Sequence, residues 1–129
     1  MAQVKVYGER THLGEQRSAL SDAIHRAAQE ALGLPENKRF HRFFPLDAAD
    51  FVFPPERSGR YTILEIHLFA GRRPETLRCF LRALQGEIIR ACGLHPDDLE
   101  IVLLEAPPSH WGLRGRLGDE LQLNYEVNK

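Results

Sequence analysis

Apolar runs in this 129-residue chain stay short, far below the roughly 20 residues that span a bilayer, so no membrane segment is expected. There are two cysteines, Cys79 and Cys92, and no Cys/His quartet, which excludes a disulfide framework and a zinc site and leaves both as reduced core residues. Neither sign of charge is in excess: 17 Lys and Arg stand against 18 Asp and Glu, a formal net charge of −1, which removes the usual electrostatic case for nucleic acid or an anionic membrane. The polar start Met-Ala-Gln-Val-Lys-Val is no secretory signal, and a cytoplasmic protein is the expectation. Six histidines show no metal-ligand spacing, and neither a phosphate-cradling Gly-rich loop nor a serine nucleophile elbow is present. What remains is an ordinary globular balance, 43% hydrophobic and 27% charged, that suits one domain over residues 1–129.

The chain is built twice from one unit. Ala31-Leu32-Gly33-Leu34 reads like Ala91-Cys92-Gly93-Leu94 sixty positions later, and the same shift pairs Leu20 with Phe80, Ile24 with Leu84, and Val4 and Val6 with Leu64 and Ile66. Apolar residues recur at helical spacing over about Gly14 to Leu32 and again over Pro74 to Cys92, so each unit carries one amphipathic helix. Pro74 suits a first helical turn, and Gly33 and Gly93 suit left-handed stops just past the last turn. The runs Arg60–Phe69 and Leu99–Glu105 are β-branched and aliphatic, of strand length. The expected fold is α+β: duplicated β-α-β units, about 2–45 and 60–105, form a four-stranded mixed sheet with two helices on one face. A C-terminal extension, 106–129, adds a strand or hairpin. Ile101-Val102-Leu103-Leu104 does not alternate, which implies burial on both faces, and two helices on one face leave the other for neighbouring subunits. A homo-oligomer follows. Phe43–Arg60 reads as a packed Pro-rich loop, the stretch from Gly112 as turn-like, and Leu121–Val127 as a half-buried strand by its alternation.

Several short motifs occur in a distinctive order: Gly33-Leu34-Pro35 with Arg39-Phe40 behind it, Ala70-Gly71-Arg72 before the second helix, and Trp111-Gly112 after Glu105-Ala106-Pro107. Together with the duplication they resemble the tautomerase superfamily over nearly the whole chain. The nearest resemblance is to the long-chain branch that includes malonate semialdehyde decarboxylase. The resemblance implies homotrimers of βαβ-βαβ subunits and proton transfer, decarboxylation or dehalogenation of small oxo or unsaturated acids. That chemistry runs at an amino-terminal proline, without metal or organic cofactor. It also implies that Arg72 binds the substrate carboxylate, and that Trp111 and the residue two further on, here Leu113 in place of an aromatic, wall the pocket. Arg73, by its own place just before Pro74, stands at the helix start where an anion is favoured and is a second candidate for binding the substrate.

Two departures alter the chemistry. Ala2, after removal of Met1, stands where the family keeps its proline, and no proline precedes Pro35. A secondary amine of lowered pKa is thereby replaced by a primary amine with a reference pKa of about 7.7 to 8.0, still partly uncharged at pH 7. Lys38 occupies the place of an acidic residue that activates water in the decarboxylase pattern, and a cation cannot serve as that base. The guanidinium of Arg72 offers a rigid fork that matches a carboxylate. Among the histidines, His110 beside Trp111 is the best placed for acid-base work, while His41 and His67 fall on strands. Asp97 and Asp98 read as turn caps, and Arg114 and Arg116 as solvated turn residues. Two readings follow. One is a weak tautomerase acting on small oxo acids through the Ala2 amine; the other is a non-catalytic trimeric homologue that binds a small anion or acts as an interaction protein.

Overall fold

The computed structural model describes residues 2–121 and 126–129. Strand β1 (Ala2–Glu9) leads directly into helix α1 (Arg10–Leu32), followed by β2 (His41–Leu46). After a loop come β3 (Thr62–Phe69), α2 (Pro74–Cys92) and β4 (Leu99–Ala106), then a small hairpin, β5 (Gly112–Leu113) and β6 (Arg116–Leu117). The four long strands form one mixed sheet in the order β2-β1-β3-β4. Within each unit the strands are parallel, and the two units join through the antiparallel pair β1/β3.

The sixty-residue repeat is visible in the registers. Val4 pairs with His41 in the first unit, and Leu64 pairs with Ile101 in the second. Both offsets are the same, so the shift carries one ladder onto the other. Across the junction Lys5 pairs with Glu65, its own counterpart, which puts a local pseudo-twofold axis between them. The same shift relates two short 3-10 turns, Ala48–Asp50 and Pro108–His110.

Alternation along β1 sends Ala2, Val4 and Val6 toward the helices, where they meet Leu64, Ile66 and Leu68 of β3. Leu13, Leu20, Ile24 and Leu32 of α1 and Phe80, Leu84 and Ile88 of α2 complete the core. Burying side chains of this size stabilises the fold by roughly 1.5–3 kcal/mol each. Gly33 and Gly93 terminate the helices at φ 67° and 63°, the left-handed geometry that glycine adopts without penalty. Pro74 is at the start of α2.

Helix α1 begins four residues earlier than periodicity suggests. Arg10-Thr11-His12-Leu13 carries little apolar signal, yet both His12 and Leu13 are buried. The aliphatic run of β4 also divides by face. Ile101 and Leu103 pack toward the core, while Val102 and Leu104 lie on the open face at 43% and 39% exposure. The middle of that face is polar, formed by Gln3, Lys5, Glu65 and His67. In the tail, Arg114 and Gly115 both take positive φ, 52° and 77°, as a two-residue hairpin turn between β5 and β6 requires. Of the strand expected over 121–127, residues 122–125 lie outside the described residues.

Candidate functional site

The candidate residues gather where β1 begins and β3 and β4 end. Ala2 pairs with Leu68 and is 8% exposed, its methyl turned into the core, so the next residue, Gln3, faces the opposite side. Phe69, immediately after Leu68, links two of the others. Its ring meets Trp111 edge-on at 5.1 Å between centroids, and its carbonyl oxygen accepts a hydrogen bond from Nη1 of Arg72 at 3.4 Å.

Arg72 is 6% exposed, unusual for a guanidinium. Its place is set by Gly71, whose φ of 134° turns the chain sharply out of β3; a Cβ there would stand 2.5 Å from Oδ1 of Asn128. Arg73 caps the start of α2, and its Nε donates to the carbonyl oxygen of Lys129 at 2.7 Å. Oγ1 of Thr76 donates to the same oxygen at 2.5 Å, so the residue 126–129 segment lies across this helix start. Trp111 is held by a hydrogen bond from Nε1 to the carbonyl of Ala106 at 3.3 Å. Gly118 fits against it because only glycine can: a Cβ would lie 2.4 Å from the Pro108 carbonyl and 3.0 Å from the Phe69 ring. Leu113 stands in the hairpin opposite Arg116. Lys38 follows α1 in a turn, its N–H donating to the Pro35 carbonyl at 3.0 Å.

Two concavities flank the Phe69–Trp111 pair. One, of about 320 Å³, opens on the bare sheet face between Gln3, Lys5, Arg42, His67, Ala106, His110 and Trp111. The other, of about 290 Å³, is lined by Phe69, Ala70, Pro108, Gly118 and residues of the tail. Ala2, Arg72 and Trp111 lie at one end of the sheet, linked through Leu68 and Phe69; Trp111 lines the first concavity, Ala2, Arg72 and Leu113 line neither, and Arg73 turns to the tail. Gln3, Lys5, Arg42 and His67 were not singled out as site residues in sequence. Their signal was parity, since Gln3 and Lys5 alternate with Ala2, Val4 and Val6 on a central strand and so must share the open face.

Away from this end, His12 is buried with Nε2 2.9 Å from Oγ1 of Thr62, and that hydroxyl itself donates to the Arg60 carbonyl. His12 is accordingly the donor to Thr62, and burial lowers its pKa, with the Arg60 charge acting in the same direction. His41, bonded to Ser21 at 2.8 Å, is lowered by burial to about 4. Among the described residues no cluster of three or more His, Cys, Asp or Glu side chains is arranged to hold a metal ion, and no helix is long and apolar enough to cross a membrane.

Fold and site together define a duplicated β-α-β protein with cationic side chains at the start of its first strand. The tautomerase enzyme family matches residues 38–114, more than half of the chain, and the chain belongs to that family. Among solved structures it is similar to malonate semialdehyde decarboxylase, described with decarboxylase and hydratase activities, at 28% identity and a TM-score of 0.77, over 88% of this chain and 92% of that one. A second malonate semialdehyde decarboxylase, inhibited by 3-bromopropiolate, matches at 28% identity and a TM-score of 0.70, over 84% and 86% of the two chains. A fused 4-OT described as a symmetric trimer shares the fold at 21% identity and a TM-score of 0.75, over 92% of this chain and 96% of that one.

Proposed function

We propose that this chain is a homotrimeric tautomerase-superfamily protein that binds a small carboxylate and slowly interconverts the enol and keto forms of small oxo acids. The Ala2 amine, freed by removal of Met1, takes the enol hydroxyl proton and returns a proton to carbon. Arg72 holds the carboxylate in its fork, and Trp111 closes the pocket. The observation that supports this most is the meeting of Ala2, Arg72 and Trp111 around Leu68 and Phe69. A primary amine with a reference pKa near 7.7–8.0 is a workable but slow base at neutral pH. Lys38 offers no carboxylate to activate water, so hydration and the decarboxylation that resembles it are not expected.

Ketonisation of phenylenolpyruvate tests the reading in wild type, Ala2→Pro and Arg72→Ala, with intact mass reporting Met1. Wild-type turnover above buffer, reduced at least tenfold in Arg72→Ala, is the expected result. If wild type matches buffer while Ala2→Pro gains activity, the enzyme reading falls and the second one stands: a non-catalytic trimeric homologue. That second reading draws support from Arg73, whose guanidinium is already bonded to the chain's own Lys129 carbonyl. Light scattering at three times the 14.7 kDa chain mass is expected in either case.

A further inference from the structure

Phe69 is 1% exposed and stands between the two side chains to which the proposed function gives the carboxylate. Its ring meets the Trp111 indole edge-on, with 5.1 Å between centroids and 63° between planes, one of the favoured aromatic arrangements. Its carbonyl oxygen accepts from Nη1 of Arg72 at 3.4 Å. Its partner across the β3/β4 ladder is Ala106, whose carbonyl accepts from both the Ala70 N–H at 2.8 Å and the Trp111 indole N–H at 3.3 Å. One residue thus touches the pocket wall with its side chain and the carboxylate fork with its main chain. All of these contacts lie within one chain, so they do not depend on what covers the open sheet face.

The main chain of Trp111 is held without Phe69: its N–H donates to the Pro108 carbonyl at 3.1 Å, and its own carbonyl accepts from the Gly118 N–H at 2.8 Å. The indole is held less firmly. Its N–H bond is longer than an ordinary N–H···O bond, so the edge of the Phe69 ring is what keeps it in one orientation. Gly118 confines both rings from the far side, since a Cβ there would lie 3.0 Å from the Phe69 ring and 3.1 Å from the Trp111 Cβ. The β-α-β plan does not itself call for an aromatic at this place, because the shift of sixty carries Phe69 onto Glu9. Misplacing a group that orients substrate by about 1 Å can cost up to about a hundredfold. We propose that Phe69 is a positioning residue, which sets the Trp111 wall at a fixed place relative to the Arg72 fork and thereby sets the affinity for a small oxo acid. This rests on the reading of Arg72 as the group that holds the carboxylate.

Calorimetric titration of pyruvate and of phenylpyruvate into wild type, Phe69→Leu, Phe69→Met and Phe80→Leu tests this. Trp111 is the chain's one tryptophan, so its emission and acrylamide quenching in the ligand-free proteins report the wall directly. Phe80 is also 1% exposed but packs in the core beneath α2, so Phe80→Leu removes a buried ring of the same size and serves as the control for lost packing alone. Binding of the two acids should be about tenfold weaker in Phe69→Leu, at least threefold weaker in Phe69→Met, and within twofold of wild type in Phe80→Leu. Trp111 emission should move to longer wavelength, with stronger quenching, in the two Phe69 variants only. Phe69→Met keeps most of the side-chain volume and loses the flat ring, so it carries the test should Phe69→Leu fail to fold. Wild-type affinity in the Phe69 variants, equal weakening in Phe80→Leu, or an unmoved Trp111 emission overturns the proposal and leaves the carboxylate reading intact. A wild type that binds neither acid overturns both, and the wild-type titration alone tells the two failures apart.

Discussion

The two halves of this chain superpose in sequence at a shift of sixty, and the two ends of their shared sheet have been filled in opposite ways. At the end built by β3 and β4 stand Phe69, Arg72, Trp111 and Gly118; at the equivalent end stand Glu9, His12, Phe51 and Ser58. Around Phe51 the side chains are bonded mostly to one another, although Nε of Arg57 is buried without a hydrogen-bond partner among the described residues. The Phe51 and Tyr61 rings stack at 5.4 Å, Phe53 lies 5.2 Å from Tyr61, and Arg57 pairs with Glu100, which also accepts from the Tyr61 hydroxyl. Ser58 donates to Asp98 through both its backbone N–H and its hydroxyl. The position equivalent to Ala2 is Thr62, buried against His12. At the Trp111 end, by contrast, concavities persist on both sides of the Phe69–Trp111 contact. One backbone plan can thus be closed by an aromatic and ionic cluster or left with concavities, and the difference lies in a few side chains on the turns that follow the parallel strands.

Breaking the equivalence at its most buried point should give the largest effect. Phe69 is 1% exposed, and Phe69→Ala removes the ring that supports Trp111; a loss of about 3–5 kcal/mol in denaturant unfolding is expected. Glu9→Ala, at the matching position, should stay within about 0.5 kcal/mol. A smaller contrast separates the turn residues. Gly118→Ala forces a methyl onto the Pro108 carbonyl and should cost about 1–3 kcal/mol, whereas Ser58→Ala loses its bond to Asp98 and should cost about 1 kcal/mol. Equal losses at the two positions would remove the steric account of Gly118.

The mildest contrast is in pH. Arg72 stays charged at any pH a folded protein survives, but its counterpart His12 titrates, and so does His41, whose counterpart is Ile101. Both histidines have folded pKa values below the unfolded one, so protonation favours the unfolded chain. Their contribution is complete above about pH 6.5 and is lost as pH falls below it, for His41 down to about 4. Tm should therefore decline from pH 7 to 4, and less steeply in His41→Gln. An unchanged slope would remove His41 from the acid response.

Much of the architecture was legible because it was written twice. Helical spacing, the terminating glycines and the sixty-residue shift each pointed to the same pair of β-α-β units, and repetition turned weak local signals into a consistent one. The start of α1 was not legible, since Arg10, Thr11 and His12 bear no apolar stripe and His12 is a polar side chain buried with a bond to Thr62, fifty positions away. Around the candidate site, Arg72 and Trp111 were singled out by the resemblance that the order of short motifs carries. Lys5 and Arg42 were missed because pairing across two strands depends on register, which has no local signature in either strand. The role of Arg73 at the tail was equally hidden, being a contact across 56 positions.

Periodicity and the sixty-residue repeat by themselves determined the paired β-α-β units with their helices and stops, because these follow from spacing and residue chemistry along the chain; that Ala2 stands in a proline's place came from the resemblance to the family. Only the tertiary structure decided which end of the sheet is sealed and which stays open, that Arg72 is buried against Phe69, and that Lys5 faces Arg42. Those facts depend on strand pairing and on packing between residues far apart in sequence, where the free energy of a side chain is set by what the fold brings beside it.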